Sequence, residues 1–274
     1  MLNYSQQNQL TAGELCVRLN SIPLSQDFDP CKIQITKLFI LYMQNQEQAV
    51  VFDEERAATY DERFAKLAPL RDTLHLLTRL VLADLPLNAR ILCIGVGTGL
   101  ELIYLAREFP QWQFTAVEPA PAMLEICRQK AEASGIASRC TWHEGYLDSL
   151  SVSEPFDAAT CLLVSHFFMK QEERRNFFGQ IAARLRPQGY LVSADLASDM
   201  STSSYQSLRE VWTRMLQYAE YPEQTIKDFL DSHGRDAAVL PSHEVSAIIA
   251  SSGFDSPVLF MQTLFIHAWY AIRP

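Results

Sequence analysis

Residues 91–99 read Ile-Leu-Cys-Ile-Gly-Val-Gly-Thr-Gly and give the clearest indication of the fold class. The four leading residues predict a buried strand, and the three glycines, spaced GxGxG, predict a tight turn into a helix. Free backbone N–H groups at the start of such a helix can bind an anionic group of a ligand. A glycine-rich turn without a ligand is the alternative interpretation, because turns need glycine in any case.

From about residue 90 onward, strand-like runs alternate with amphipathic stretches, which is typical of βα units and a mainly parallel sheet. Two apolar runs within 253–272 are too close together for a helical crossover and predict an antiparallel, hairpin-like edge. The stretch at about 200–240 is helical and of mixed polarity and predicts a cap, and a further helix is expected at 242–251. The strands are predicted at 90–94, 113–117, 140–142, 157–164 and 190–195.

Composition limits the class of protein. The chain has 274 residues, 48% hydrophobic and 20% charged, enough for one α/β domain with a cap. It has no uncharged apolar window of eighteen residues, and residues 1–14 do not resemble a secretory signal, so we expect a cytoplasmic protein without a membrane span. The net charge of −9 argues against a nucleic-acid partner and favours a small-molecule acceptor.

Neither the cysteines nor the carboxylates predict a metal site. The six cysteines include no CxxC pair, and two lie in apolar strand-like runs, which indicates buried structural thiols. Beyond the fourth and fifth strands, only Asp195 and Asp199 are nearby carboxylates, so we expect no metal.

A second signal is Glu118, which follows the second predicted strand about twenty residues after the glycine turn. An acidic side chain there can bind both hydroxyls of a ribose. A nicotinamide dinucleotide is disfavoured, because Leu100 stands where the third glycine of GxGxxG is required. Since ligands bind beyond the carboxyl ends of parallel strands, we expect Gly97, Glu118, Gly145 and Ser165 to line one pocket.

Five segments, at 91–99, 116–119, 143–146, 162–167 and 184–190, resemble the ordered motifs of class I S-adenosylmethionine-dependent methyltransferases. The resemblance covers residues 51–274. It implies an α/β, three-layer Rossmann-like fold with a seven-stranded, mostly parallel sheet whose last strand is antiparallel. It also implies S-adenosylmethionine as cofactor and S-adenosylhomocysteine as product. By the same resemblance the methionine part is bound by Gly95, Val96, Gly97 and Gly99, and the ribose by Glu118.

The resemblance assigns further cofactor contacts. Pro119 and Met123 would flank the adenine. The family commonly has a Gly-Asp pair after the third strand, whereas here Tyr146 follows Gly145, so the backbone of Tyr146 and Leu147 is the expected substitute. The segment 52–64 is similar to the lead-in helix that closes over the cofactor in many members. The remaining candidates for this pocket are Tyr60 on that helix and Leu162 in the fourth strand.

Methyl transfer from a sulfonium is an in-line displacement, which an enzyme favours by alignment and exclusion of water. His166, just after the fourth strand, is the candidate general base, with a structural histidine as the alternative interpretation. Ser-His-Phe-Phe, residues 165–168, stands where amino-methylating DNA enzymes have Asn/Asp-Pro-Pro-aromatic, which argues against that subclass.

Other functions stay open. Residues 118–127 and 221–254 resemble the carboxy-S-adenosylmethionine synthase group of transfer-RNA modification, although Leu230 stands where that group has a cap arginine and Arg235 is offset. A SAM-binding protein without turnover and a module for another nucleotide are further alternatives. Residues 1–50 are expected to be an accessory segment with an added helix at 37–43, before a methyltransferase domain at 51–274. A homodimer is left open.

Overall fold

The computed structural model of the protein describes residues 54–151 and 154–274. Helices are numbered from the first one described. The accessory segment at 1–50, with the helix predicted at 37–43, lies outside the described residues.

One seven-stranded sheet forms the centre of the described chain, with strand order β3-β2-β1-β4-β5-β7-β6. Strands β1 to β5 are parallel, whereas β7 pairs antiparallel with both β5 and β6. This confirms the predicted class I methyltransferase topology, including the antiparallel last strand. The strands are β1 (Arg90–Ile94), β2 (Gln113–Glu118), β3 (Cys140–Glu144), β4 (Phe156–Leu162), β5 (Leu185–Leu196), β6 (Val258–Thr263) and β7 (Ile266–Ile272).

Helices cover both faces of the sheet because the side chains of buried strands alternate between two cores. In β1, Leu92 and Ile94 pack with apolar residues of α5 and α8, whereas Ile91 and Cys93 pack with those of α3 and α4. The described helices are α1 (Glu54–Arg63), α2 (Ala68–Val81), α3 (Leu100–Glu108), α4 (Pro121–Ala133), α5 (Gln171–Arg184), α6 (Ser203–Tyr218), α7 (Glu223–Ser232) and α8 (Ser242–Ala250).

Two strand boundaries differ from the prediction for a local backbone reason. The fourth strand ends at Leu162 rather than at 164, because Leu163 has a φ of 60° and turns the chain into a short 3₁₀ turn, Ser165–Phe167. The fifth strand begins at Leu185, which pairs with Phe156, rather than at 190. Its register then shifts between Phe156 and Ala158, and Gln188 has a φ of 63°. The Arg-Pro-Gln-Gly stretch at 186–189, whose residues are typical of a turn, is therefore an irregularity within a strand.

The cap predicted at about 200–240 consists of α6 and α7 with their own aromatic core. Trp212 stacks on Phe229 with ring centroids 5.7 Å apart, and it also lies 5.3 Å from Phe265, next to the β6–β7 hairpin. None of the helices within 54–151 and 154–274 has the length and apolarity needed to cross a bilayer.

Candidate functional site

The loop between β1 and α3 has the backbone that only glycine adopts readily. Gly95, Gly97 and Gly99 have φ angles of 63°, 55° and 83°. A Cβ at Gly95 would lie 2.4 Å from Val164 Cγ2, and one at Gly99 would lie 2.3 Å from Cys127 Sγ. Gly97 differs, since the nearest atom to a Cβ there is Met123 Cε at 3.5 Å. Packing therefore requires the outer two glycines, while a Cβ at Gly97 would make only an ordinary van der Waals contact.

Glu118 ties the end of β2 to this loop. Its Oε2 accepts a hydrogen bond from the backbone N–H of Gly97 at 2.9 Å, and its Oε1 accepts one from Ala120 N–H at 3.0 Å. Each carboxylate oxygen has a second lone pair, so the group can still accept two hydroxyl donors. That is the pattern a ribose diol requires.

Burial also prepares Glu118 for such donors. The side chain is almost fully buried, and burial raises the pKa of its carboxyl, although the hydrogen bonds from Ala120 and Gly97 act in the opposite direction. Additional hydroxyl donors would stabilise the charged form further. The electrostatics therefore fit a neutral, hydroxyl-bearing ligand group.

The adenine candidates lie beside Glu118. Pro119 is exposed at the end of β2, and Met123 is buried in the first turns of α4 with its methyl group toward Gly97. The loop after β3 approaches from the other side, since Gly145 N–H donates to the carbonyl of Glu118 at 3.1 Å. The structure thus brings the predicted candidates of three strands together.

The two residues after Gly145 differ in exposure. Tyr146 is 52% exposed, whereas the side chain of Leu147 is buried with Ile94 and Val117. A ligand contact from Leu147 therefore has to come from its backbone. The hydroxyl of Ser149 and a ring nitrogen of His143 both hydrogen-bond to the Tyr146 carbonyl, which fixes this loop.

Helix α1 is fastened to the glycine loop. Asp61 accepts a hydrogen bond from Thr98 Oγ1 at 2.7 Å and forms an ion pair with Lys130 of α4. One residue earlier, burial raises the pKa of the Tyr60 hydroxyl, with smaller contributions from the charges of Asp61 and Glu118. Tyr60 thus lies on the helix that Asp61 fastens to the glycine loop.

The carboxyl ends of β4 and β5 add a second polar group to this edge. Leu162 ends β4 half-buried, and Val164 packs on Gly95. Beyond them, Ser165 and His166 are buried and both contact the carboxylate of Asp195 at the end of β5. The predicted base thus lies two residues from a side chain that contacts the glycine loop.

Sequence reasoning missed several residues of this edge. The contacts of Asp61, Thr98 and Lys130 join segments that are far apart in the chain, and no local sequence pattern predicts these contacts. Arg174 stands in the charged run Glu-Glu-Arg-Arg-Asn, typical of a solvent-facing helix, yet it is fully buried. The place of Asp195 was predictable, because β4 and β5 are adjacent parallel strands with carboxyl ends at one edge.

The described thiols show no sign of reactivity or metal binding. Burial raises the pKa values of Cys93, Cys127, Cys140 and Cys161, which keeps these thiols protonated. Within the two described ranges, no group of three or more His, Cys, Asp or Glu side chains is arranged to hold a metal ion.

Two surface grooves lie between helices of the described chain. One of about 340 Å³ lies between α2, α3 and α4, and one of about 500 Å³ lies between α6 and α7. Their walls contain local ion pairs, Arg71 with Asp72 in the first and Lys227 with Asp231 in the second. Neither groove is lined by Glu118 or Gly97, so we place the candidate site by its chemistry at the edge of the sheet.

Comparison with known proteins agrees with this geometry. Residues 91–189 match the model of the family described as a methyltransferase domain. Residues 91–189 of this chain therefore form a methyltransferase domain. The matched residues run from β1 and the glycine loop into β5, so they include Glu118, the loop after β3 and His166.

The methyltransferase domain is similar to a curated carboxy-S-adenosyl-L-methionine synthase of Campylobacter jejuni, at 26% identity over 160 residues. The alignment covers 57% of this chain and 65% of that relative, so the chain spans less than two thirds of its length.

Solved structures show the same fold. An O-methyltransferase family protein from Burkholderia thailandensis has a TM-score of 0.57 and 14% identity, over 81% of this chain and 60% of that one. An O-methyltransferase family 2 protein from Planctomyces limnophilus, in complex with apigenin, has a TM-score of 0.54 and 16% identity, over 81% and 62%. At such identities the likeness concerns the fold alone.

The methyltransferase domain has S-adenosylmethionine as its cofactor, and the residues present fit that molecule. The glycine loop would take the methionine part at Gly97, where a Cβ would meet only Met123 Cε at 3.5 Å, and Glu118 would offer acceptors to the ribose. The glycine loop follows β1 and Glu118 ends β2, as the sequence predicts.

Proposed function

We propose that this methyltransferase domain transfers the methyl group of S-adenosylmethionine to a small-molecule acceptor by in-line displacement. The observation that carries the proposal is the hydrogen bond between Glu118 and Gly97, which joins the ribose and methionine candidates into one binding site. When bound, S-adenosylmethionine supplies an electrophilic methyl group on a sulfonium.

In this proposal, the residues of the chain bind and orient the cofactor and exclude water from it. The glycine loop and Glu118 would hold the cofactor on the sheet, with Val96, Gly95 and Gly99 shaping the loop. Pro119, Met123 and the backbone at 145–147 would enclose the adenine. Helix α1, fastened through Asp61, would close the site with Tyr60 and keep water from the sulfonium. Alignment and exclusion of water are the main demands of an in-line displacement.

Charge supports a small acceptor. The chain has a net charge of −9, which repels polyanions such as nucleic acids. We assign recognition of the acceptor to the side of the site formed by the 3₁₀ turn after β4 and the segment after α7. These segments are joined by a hydrogen bond from Ala238 N–H to the His166 carbonyl at 2.7 Å.

A second candidate is a carboxy-S-adenosylmethionine synthase-like activity, which the similarity to the Campylobacter enzyme favours. The cap residues offer little support for binding an additional carboxylate. Leu230 is buried in the apolar cluster of the cap, and Arg235 is exposed and ion-paired with Asp236 at 2.6 Å. We therefore propose methyl transfer ahead of carboxymethyl chemistry.

One experiment separates these candidates. The full chain is purified, any copurifying ligand is identified by mass spectrometry, and release of S-adenosylhomocysteine is measured with small hydroxyl, amine and thiol compounds. We expect S-adenosylmethionine or S-adenosylhomocysteine and acceptor-dependent release. A carboxylated ligand would establish the second candidate, and binding of S-adenosylmethionine without transfer to any compound would indicate a non-catalytic binding protein.

A further inference from the structure

A buried network of polar side chains joins the carboxyl ends of β4 and β5. Its members are Ser165, His166, Arg174 and Asp195, and all four are buried, with no exposed surface for any except His166 at 5%. Burial of a complete guanidinium group is costly unless it is paired. Removing these groups from water therefore calls for an explanation beyond stability.

The carboxylate of Asp195 organises the network. Its Oδ1 accepts the backbone N–H of His166 at 2.9 Å and lies 3.1 Å from His166 Nδ1. Its Oδ2 accepts a hydrogen bond from Ser165 Oγ, which in turn accepts one from Arg174 Nε at 2.8 Å. Arg174 Nη2 lies 2.7 Å from the same Oδ2, as a charge contact without an aligned hydrogen bond.

Arg174 determines the charge of Asp195. Burial alone would raise the pKa of the Asp195 carboxyl, but the Arg174 charge and the bonds from His166 and Ser165 outweigh it, so the pKa lies below its ordinary value. An ionised carboxylate only accepts hydrogen bonds. The proton between the two groups therefore lies on His166 Nδ1, and in the neutral form of the ring Nε2 carries a lone pair.

The network lies next to the proposed cofactor site. Val164, two residues before His166, packs against Gly95 of the glycine loop. The segment after α7 closes over the turn, since Arg174 Nη1 donates to the Ala238 carbonyl at 3.3 Å. The turn that carries His166 is thus joined to the glycine loop through Val164 and to the segment to which we assign the acceptor through Arg174.

We propose that His166 is the general base for a neutral hydroxyl acceptor, with Asp195 and Arg174 as positioning residues that hold Nδ1–H and leave Nε2 free to take a proton. This inference rests on the proposed function and deepens it by naming the acceptor class. The acceptor oxygen forms a bond to the methyl carbon as the carbon–sulfur bond breaks. The electron pair of that bond stays on sulfur, and the hydroxyl proton passes to Nε2 and then to water.

The first test needs no acceptor. In the full chain labelled with ¹⁵N-histidine, His166→Gln identifies the His166 signals, and nitrogen shifts report which ring nitrogen carries the proton. In the neutral form of the ring we expect the proton at Nδ1, and we expect Asp195→Asn to move much of the population to Nε2–H, the change of tautomer known for such pairs. A wild-type ring protonated at Nε2 overturns the proposal.

The second test measures chemistry. A phenol that is neutral at pH 7.5, a nitrophenol that is largely ionised, an amine and a thiol are supplied with S-adenosylmethionine. We expect transfer to the phenols, and His166→Gln should lower kcat on the neutral phenol on the order of 100-fold, but much less on the ionised one, which needs no base. The exposed His243→Gln on α8 is the matched control and should match wild type.

The outcomes distinguish the inference from the proposed function. If Asp195→Asn loses more activity on the neutral phenol than on the ionised one, the result supports Asp195 as a positioning residue. An equal loss on both phenols indicates a structural role and overturns the proposal. Transfer to the amine or thiol alone overturns the acceptor class, as does full activity of His166→Gln. Absence of S-adenosylmethionine binding in wild type would instead remove the proposed function itself.

Discussion

Glu118 Oε2 accepts the backbone N–H of Gly97 at 2.9 Å, so the carboxyl end of β2 is fastened to the loop that follows β1. The two residues are 21 positions apart in the chain. The contact connects the two strongest signals of the sequence and forms the centre of the proposed cofactor site.

Replacing Glu118 by Ala should weaken binding of S-adenosylmethionine without unfolding the protein. Loss of hydrogen bonds from ribose hydroxyls to a charged acceptor costs about 1.5–3 kcal/mol, or on the order of 10- to 100-fold in affinity. Calorimetric titration measures the affinity, and circular dichroism checks the fold. Glu125→Gln on the exposed face of α4 is the control and should retain wild-type affinity.

The glycines of the loop should separate into two classes. In Gly97→Ala the added methyl group would lie 3.5 Å from Met123 Cε, so the variant should fold. Its free energy of unfolding should fall by about 1–2 kcal/mol because of the positive φ. The methyl group would face the ligand and should lower the affinity for S-adenosylmethionine more than tenfold. Gly95→Ala and Gly99→Ala face Val164 Cγ2 and Cys127 Sγ and should lose more stability. Thermal unfolding with and without ligand measures both effects, and equal stability losses at all three positions would contradict this distinction.

Helix α1 should open more often once Asp61 loses its charge. Asp61→Ala removes the hydrogen bond to Thr98 and the ion pair with Lys130, which together hold the helix on the glycine loop. Loss of contacts worth about 1 kcal/mol should raise hydrogen exchange of the α1 amides roughly fivefold and speed cofactor dissociation. Asp72→Asn, on the exposed side of α2, is the control, and unchanged exchange in Asp61→Ala would rule out the fastening role.

Glu101 should make stability depend on pH. Burial raises the pKa of its carboxyl from 4.5 to about 7, against a smaller opposing effect of Thr160. Its Oε1 is enclosed and has no hydrogen-bond partner among the described residues. The raised pKa means that the folded state holds the proton more tightly than the unfolded state, so stability is full below about pH 4.5 and is lost as the pH rises through 7.

Glu101→Gln removes that penalty because the amide stays neutral. We expect it to match wild type near pH 4.5 and to gain stability of about 3 kcal/mol at pH 8, measured by denaturant unfolding across pH. Glu132→Gln, exposed on α4, should show no such trend. A Glu101→Gln stability curve parallel to that of wild type would show that Glu101 does not titrate in this way.

Much of the fold could be predicted because its signals are local. The apolar run 91–94 followed by spaced glycines determines a strand, a turn and a helix, and the closeness of the two C-terminal apolar runs predicts their antiparallel pairing. The end of β4 could not be placed, because the positive φ of Leu163 has no signature in an apolar side chain. The start of β5 was missed because Arg-Pro-Gln-Gly reads as a turn, while strand pairing continues through it.

Some residues of the candidate site could likewise be predicted from the sequence, and others could not. Glu118 was predictable because it ends a strand at a known distance from the glycines, and His166 because it follows β4. Asp61 and Arg174 were not, since their roles depend on partners distant in the chain: Thr98 and Lys130 for Asp61, and Ser165 and Asp195 for Arg174. A charge in an amphipathic helix is ordinarily solvated, and only tertiary packing turns it toward the site.

Calorimetric titration of the full chain with S-adenosylmethionine, S-adenosylhomocysteine and NAD is the most direct test of the cofactor assignment. We expect both adenosyl ligands to bind at a single site, with affinity that falls in Glu118→Ala and Gly97→Ala, and NAD to bind weakly or not at all. Preference for NAD, or adenosyl binding unchanged in both variants, would contradict the assignment of the cofactor site to the glycine loop and Glu118.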